Sequence, residues 1–206
     1  MQINQLRGLL YEFGANLPKG RQQGMAQVGA QLAQLEDTLP AMVIDALRGQ
    51  LQRVQALSDD IEDIERKLAL WKKEDAAAKR LMAIPGVGLL TATAAVATIG
   101  DATVFKNGRQ FAAFLGLVPR QAGTGGKVRL FGISKRGDTY LRKLLIHGAR
   151  SVITHQKARA PWLEQLLARR PFNAAVVALA NKMARTIWAL LAHDRTYQNG
   201  VTAQAA

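Results

Sequence analysis

One hydroxyl group, that of Thr124, stands among glycines and a lysine in the sequence GTGGK at residues 123–127. Glycines carry no side chain, so the backbone of such a loop can approach a phosphate group closely. Arg129, Lys135 and Arg136 follow and supply positive charge. A hydroxyl in these surroundings could attack a phosphodiester if a base or a metal ion activated it. An ordinary glycine-rich turn with solvated cations explains the same residues, and the spacing matches neither a Walker loop nor a dinucleotide loop.

A second motif is IPGVG at residues 84–88, which lies between two stretches of helical periodicity. Gly86 and Gly88 permit a sharp turn and leave backbone amides uncovered at the start of a helix beginning at Leu89. Amides in that position can hold a phosphate without reading a base. This is the helix-hairpin-helix pattern of sequence-independent DNA contact, although any tight helical turn can use the same glycines.

The sequence offers few Cys, His or acidic residues from which another kind of active site could be built. The chain has no Cys, which excludes a disulfide framework, a thiolate metal site and a Cys nucleophile. Its three His residues form no metal-ligand spacing. Residues 81–206 hold only four scattered acidic residues, whereas a metal-dependent nuclease needs several converging carboxylates. We therefore expect no metal-binding residues in this chain.

The positive charge is confined to one part of the chain. The 206 residues include 28 Lys plus Arg and 15 Asp plus Glu, a net charge of +13. Residues 1–80 hold 11 of each sign, so the whole excess lies in residues 81–206. Such a field attracts a polyanion such as nucleic acid, although a merely soluble basic protein would share it. No apolar run suits a membrane span and no signal-peptide core opens the chain, which indicates a cytoplasmic protein with no membrane partner.

An apolar stripe with near-heptad spacing indicates a long helix over residues 47–71. Charged residues separate its members, which are Leu47, Leu51, Val54, Leu57, Ile61, Ile64, Leu68 and Trp71. Such a helix either lies against its own domain or pairs with a second copy as a coiled coil. The narrow stripe slightly favours pairing, so we expect residues 1–76 to form a helical arm and the chain to be a homo-oligomer through residues 47–71.

A compact basic domain is predicted over residues 77–195, followed by a frayed tail at 196–206. Its expected helices run over residues 89–98, from a cap at Asn107 to Gly116, from a cap at Asp138 through Val152, and over residues 173–192. The glycine-rich residues 118–136 indicate an exposed loop or irregular hairpin. The predicted fold class is mainly α: a helical or coiled-coil arm, then a compact domain containing the helix-hairpin-helix and a small irregular hairpin.

Three stretches of this basic region resemble a known family. They read LMAIPGVGLLTATAAVATIGD at 81–101, FKNGRQFAAFLGLVPRQ at 105–121 and GGKVRLFGISKRGDTYLRKLLIHGAR at 125–150. Together they are similar to the C-terminal domain of a family of bacterial insertion-sequence transposases, which are recombinases guided by a structured RNA. The close similarity covers about residues 78–153. The stripe at 47–71 is similar in character to the family's coiled coil, which mediates assembly.

The resemblance implies where the family's nucleophile would stand. Its serine lies five residues after the Pro of an L-x-P-R motif, just before a Gly. In this sequence that Pro is Pro119, and the position holds Thr124, followed by Gly125. Threonine keeps the hydroxyl, but its extra methyl crowds an in-line attack and restricts χ1.

The chemistry and charge of the residues themselves predict which of them contact nucleic acid. Gly86 and Gly88 would touch phosphate through their backbone amides. A set of basic side chains would bind the DNA strand or a guide RNA, namely Lys127, Arg129, Lys135, Arg136 and Arg142.

Members of the family carry an N-terminal RNase-H-like domain with Asp-Glu-Asp-Asp metal ligands. This domain is missing here, so we expect no cofactor in this chain, Mg²⁺ acting only with the missing acidic domain, and a truncated or degenerate reading frame or natural fragment. The expected function is DNA binding in transposition or site-specific recombination, with an incomplete catalytic site. The alternative is a non-catalytic nucleic-acid-binding module, such as an RNA chaperone or a dominant-negative partner of a full-length transposase.

Overall fold

The computed structural model describes residues 2–156 and 159–198, and its helices outweigh one small hairpin of two strands. The prediction of a mainly α fold is therefore confirmed. The chain divides into two compact units, with the division between Lys67 and Leu68. The sequence places this boundary at residues 76 and 77 instead, after the long helix, which itself runs across the division.

The first unit consists of α1 (Gln2–Glu12), α2 (Arg21–Leu35) and most of α3 (Ala41–Glu74). The three helices share one small core, made by Leu6, Leu10, Ala15, Leu17, Val28, Leu32 and Leu47. The sequence gives no clear signal for α2, because Gln and Gly dilute its apolar face, which reduces to Val28, Leu32 and the partly buried Leu35. Residues 1–67 thus form a packed unit rather than a simple extended arm.

The apolar stripe of helix α3 is buried near the start of the helix and exposed farther along it. Near its start Leu47 lies in the core of the first unit, and Val54 is also buried. Farther on, Leu57, Ile61 and Ile64 are exposed. The first part of the stripe therefore packs within its own unit, as one interpretation predicts. The second part is exposed, and its pairing with a second copy stays a prediction.

Among its described residues, the second unit contains six further helices, a short 3-10 turn and the hairpin. They are α4 (Ala76–Leu81), α5 (Leu89–Ile99), the turn Ala102–Val104, α6 (Gly108–Phe114), β1 (Pro119–Thr124), β2 (Lys127–Ile133), α7 (Thr139–His155), α8 (Pro161–Arg169) and α9 (Phe172–Ala192). Side chains from every one of these helices enter a single core. Helix α8, which begins at Pro161 in the favourable first position, is not predicted from the sequence.

Helix α9 is the central element of this unit. It contacts α4, α6, α7 and α8, and eight of its residues are buried, from Ala175 to Leu190. By length and composition it is the one helix among the described residues that could cross a membrane. Its apolar residues are instead accounted for by the core that they build with the surrounding helices.

Side-chain caps fix where three helices of the second unit begin. Asn107 accepts a hydrogen bond from the amide of Gln110, and Asp138 accepts one from the amide of Leu141. Both caps agree with the sequence, and each satisfies an amide that the first turn of a helix leaves unpaired. Asp75 does the same for α4 through the amide of Ala78. The caps at Asn107 and Asp138 set the beginning of the two helices that flank the hairpin.

Candidate nucleic-acid interface

The position of Thr124 is set by a β-hairpin. Strands β1 and β2 pair antiparallel, and the two-residue turn between them is Gly125 and Gly126, with φ angles of 58° and 79°. Two consecutive residues with positive φ are typical of a type I′ turn, which glycine adopts without strain. Thr124 is the last residue of β1, it directly faces Lys127, and it is exposed. The hydroxyl-bearing side chain therefore lies at the tip of the hairpin.

The strand register places two cations on the same face as this threonine. Directly opposed residues of an antiparallel pair share a face, and residues two apart along a strand return to it. Thr124 faces Lys127, and Ala122 faces Arg129. We call the face formed by these four residues the cationic face. The register thus brings together two of the predicted binding residues and the predicted nucleophile position.

The exposed cations in this region have no acidic counterparts. Lys127, Arg129, Lys135 and Arg136 are all exposed, and none of the four forms an ion pair within residues 2–156 and 159–198. Residues 102–137 contain seven basic residues and no Asp or Glu. An uncompensated field of this kind is the usual electrostatic signature of a surface that binds a polyanion.

Two glycines close the base of the hairpin. A Cβ atom on Gly116 would lie 2.2 Å from the carbonyl oxygen of Arg136, and one on Gly137 would lie 1.7 Å from that of Phe114. Backbone amides complete the contact, since Ser134 donates to Val118 and Lys135 donates to Gly116. The segment entering the hairpin therefore packs directly on the segment leaving it, and only glycine fits at either point.

Arg142 lies inside the protein, which differs from its predicted role as a contact to nucleic acid. Its side chain is 7% exposed. The guanidinium donates to the carbonyl oxygens of Leu115, Arg136 and Asp138, and to the hydroxyl of Thr139. With these partners the side chain ties the end of α6 to the loop that follows the hairpin. In this structure Arg142 supports the hairpin from behind and presents no cation to solvent.

The acidic residue nearest in sequence to these cations is already engaged. Asp138 caps α7 and also accepts a hydrogen bond from the hydroxyl of Thr98. Asp101 accepts from both the amide and the hydroxyl of Thr103, and this bonding lowers the pKa of Asp101. No three His, Cys, Asp or Glu side chains come together as a possible metal site in the part of the chain that the structure describes.

The IPGVG motif forms the predicted turn between α4 and α5, but its two glycines differ. Gly86 has a φ of 83°, and its Cα faces α7, where a Cβ would lie 2.7 Å from the carbonyl oxygen of Gly148. Gly88 is exposed, precedes α5 and has no side chain hydrogen-bonded to the helix start. Gly86 is thus explained by packing, whereas Gly88 leaves the amide end of α5 open to solvent.

A partly buried lysine on α9 has surroundings that the sequence does not predict. The ammonium group of Lys182 lies 4.4 Å from the ring centroid of Trp162 on α8. Burial, and secondarily the charge of Arg185, lowers the pKa of Lys182. The helical periodicity of α9 predicts an exposed Lys182, because a periodicity within one helix does not indicate the contact with Trp162 of α8. This lysine belongs to a helix–helix contact and is not one of the exposed cations near the hairpin.

Comparisons with known proteins agree with the resemblance. Residues 78–163 match the model of the family described as Transposase IS116/IS110/IS902. A Pseudomonas aeruginosa protein named "Probable family 20 transposase" is 48% identical over 202 residues, which are 96% of this chain and 60% of the relative. The transposase for insertion sequence element IS1111A of Coxiella burnetii is 41% identical over 202 residues, or 96% of this chain and 56% of the relative.

A third relative, the transposase for insertion sequence element IS1328 of Yersinia enterocolitica, is 40% identical over 191 residues, or 90% of this chain and 56% of the relative. The chain therefore spans a little over half the length of these curated relatives. The family match includes the turn at IPGVG, the whole hairpin and the helix that carries Arg142. Residues 78–163 therefore form a domain of the IS116/IS110/IS902 transposase family.

Proposed function

We propose that this chain is the DNA-binding, hydroxyl-bearing part of an insertion-sequence transposase and that it acts in DNA transposition or site-specific recombination. The observation that carries the proposal is the cationic face of the hairpin. There an exposed hydroxyl at Thr124 shares a face with Lys127 and Arg129. A strand that lies along this face has its phosphates neutralised next to a potential nucleophile.

The proposed chemistry is an exchange of phosphodiester bonds. The oxygen Oγ1 of Thr124 forms a bond to phosphorus, the hydroxyl proton passes to a general base, and the departing ester oxygen of the DNA takes up a proton. Metal ions that serve such reactions polarise the phosphoryl group. In this proposal a partner supplies the general base and any metal ion, since no group of three His, Cys, Asp or Glu side chains that could hold a metal lies among the described residues.

The amide end of α5 is a second proposed contact. Gly88 is exposed there, and the first amides of a helix favour a phosphate through hydrogen bonds and the helix dipole. This contact would hold the DNA backbone without reading its sequence. Gly86 would serve it indirectly by allowing the turn to pack against α7.

Pairing of two copies through α3 is the third component of the proposal. Leu57, Ile61 and Ile64 form an uncovered apolar stripe in the first unit. Acidic residues dominate positions 59–65 and basic residues dominate 66–73. Two α3 helices that pair antiparallel would therefore bury the stripe and set opposite charges side by side.

A covalent protein–DNA adduct tests the reaction. We would mix the 22.4 kDa chain with DNA carrying the ends of the element that encodes the Pseudomonas aeruginosa relative, with and without that full-length relative and the RNA transcribed from its element. The two proteins differ in mass, so a denaturing gel assigns any adduct to one of them. The proposal expects an adduct on this chain that increases in Thr124→Ser and disappears in Thr124→Ala.

A non-catalytic nucleic-acid-binding module is the second candidate. The presence of threonine, whose methyl group hinders in-line attack, favours this candidate. Both candidates bind nucleic acid through the same cations, and affinity alone does not separate them. The absence of an adduct from both the wild type and Thr124→Ser, in the complete mixture, would leave only the binding module.

A further inference from the structure

The β1–β2 hairpin has a second face, opposite the cationic face. It consists of Gln121 and Gly123 from β1 with their cross-strand partners Leu130 and Val128 from β2. Val128 is 66% exposed and Leu130 is 65% exposed. Two large apolar side chains therefore stand next to each other on the surface of a ribbon that is only two strands wide. We call these four residues the apolar face.

Local geometry keeps Val128 uncovered. Its cross-strand partner is Gly123, where a Cβ atom would lie 2.4 Å from the carbonyl oxygen of Lys127. The partner position thus has no side chain that could shield Val128. Neither Val128 nor Leu130 belongs to the apolar core of the second unit. Apolar side chains kept in water next to each other commonly mark a surface that another molecule covers.

The surrounding charge indicates what covers the apolar face. The hairpin lies within residues 102–137, which hold seven basic residues and no acidic residue. Nucleic acid combines the negative charge that this segment attracts with flat apolar surfaces, the faces of its bases. Base faces are accessible only where the stack of a duplex is opened.

From these observations we propose that the hairpin is a wedge that holds the two strands of DNA apart. The cationic face follows the sugar–phosphate chain of one strand, while Val128 and Leu130 cover the bases exposed at the last intact pair. Apolar side chains inserted at base steps are a known means of unstacking DNA. The wedge is held firmly at its base, since Arg142 binds the segments on both sides of the hairpin. This inference rests on the proposed DNA-binding function.

Forked DNA provides the test. A duplex must first be unstacked before the wedge enters, whereas a fork with two unpaired arms is already open. We would measure the affinity of the full chain for a fork and for a fully paired duplex of equal length and charge, by fluorescence anisotropy at one salt concentration. A 2-aminopurine base at the last pair before the fork would report unstacking. The wild type should bind the fork about tenfold more tightly, which is the scale of one base–side-chain contact.

The informative variant is the double substitution Val128→Thr and Leu130→Thr. Threonine keeps the β-branched shape that strands favour, and both positions are exposed, so the hairpin should remain folded. The variant should bind the duplex as the wild type does, but lose the preference for the fork and the rise in 2-aminopurine fluorescence. Val104→Thr is the matched control, because Val104 is 72% exposed and lies in the 3-10 turn outside the hairpin.

The outcomes separate this inference from the function on which it rests. A wild type that binds neither DNA would contradict the proposed function itself. Binding to both DNAs with equal affinity, or an unchanged fork preference in the double variant, would overturn the wedge while leaving DNA binding intact. A double variant that changes only the sedimentation of the chain would also overturn it, since a protein surface would then be what covers Val128 and Leu130.

Discussion

Gly86 and Gly148 touch each other so closely that neither position has room for a side chain. A Cβ atom on Gly148 would lie 2.1 Å from the carbonyl oxygen of Gly86, and one on Gly86 would lie 2.7 Å from the carbonyl oxygen of Gly148. The turn between α4 and α5 is thereby fixed on α7, the helix that follows the hairpin. One glycine pair thus links the two parts of the chain for which we propose contact with DNA.

The two glycines of IPGVG should respond differently to alanine. Gly86→Ala should lower the free energy of unfolding by about 3 kcal/mol, because it combines overpacking with a φ of 83°. Gly88→Ala meets no atom within 4 Å and has a φ of −87°, so it should cost less than about 1 kcal/mol. Urea denaturation followed by circular dichroism measures both. Equal losses in the two variants would contradict the packing role of Gly86.

Gly88→Ala also tests the phosphate contact proposed at the start of α5. An added methyl group next to the open amides should weaken DNA binding without a matching loss of stability. Anisotropy titrations should show a decrease in affinity of about fivefold, on the scale of one hydrogen bond. Unchanged affinity in a folded Gly88→Ala variant would remove this contact from the proposed function.

Arg142→Met should loosen the base of the hairpin. Methionine fills a similar volume, but it leaves the carbonyl oxygens of Leu115 and Arg136 without their guanidinium donor. We expect a loss of about 3 kcal/mol in stability and faster hydrogen exchange at the amide of Lys135. Lys143→Met is the control at the exposed neighbouring position. Similar behaviour of the two variants would show that the buried guanidinium does not hold this loop.

The cations of the hairpin should contribute to DNA affinity through charge alone. Replacing Lys127 and Arg129 with Gln should weaken binding to different sequences alike and reduce the slope of log K against log salt by about 2. Gln at Lys19 and Arg53, two exposed cations of the electrically neutral first part of the chain, is the control. A slope that changes equally in both double variants would mean that the hairpin is not a preferred binding surface.

Self-association through α3 should depend on its uncovered stripe. Ile61→Asp with Ile64→Asp should dissociate dimers, because a buried, unpaired charge costs several kcal/mol. Both residues are about half exposed, so the first unit should stay folded. Met42→Asp provides a control at an exposed position elsewhere on α3. Sedimentation equilibrium decides between the states, and a monomeric wild type would rule out the pairing.

Much of the second unit could be predicted from the sequence because its signals are local. Asn107 and Asp138 indicate the helices that they cap, and the glycine-rich residues 118–136 indicate an exposed loop or irregular hairpin. The roles of Arg142 and Gly86 could not be predicted in the same way. Arg142, six residues after Arg136, is indistinguishable in sequence from its exposed neighbours, and the carbonyl oxygens that accept from its guanidinium come from Leu115 and from the loop after the hairpin.

The first unit shows the same limit. The near-heptad stripe on α3 predicts a long helix correctly, but periodicity does not say which part of a stripe is covered by the chain itself. Helix α2 decides this, since Val28 and Leu32 join Leu47 in one core. Helix α2 is rich in Gln and Gly, so its apolar periodicity is too weak to predict a helix.

The most direct test of the central claim uses the absence of Cys from the chain, which makes Thr124→Cys a unique attachment point. Labelled there with a photoreactive azidophenacyl group and irradiated with bound DNA, the protein should cross-link to the strand. The same label on Val104→Cys and Met42→Cys, two exposed positions outside the hairpin sequence, should cross-link little. If position 124 cross-links no more than these controls at saturating DNA, the hairpin does not hold a DNA strand next to the hydroxyl of Thr124.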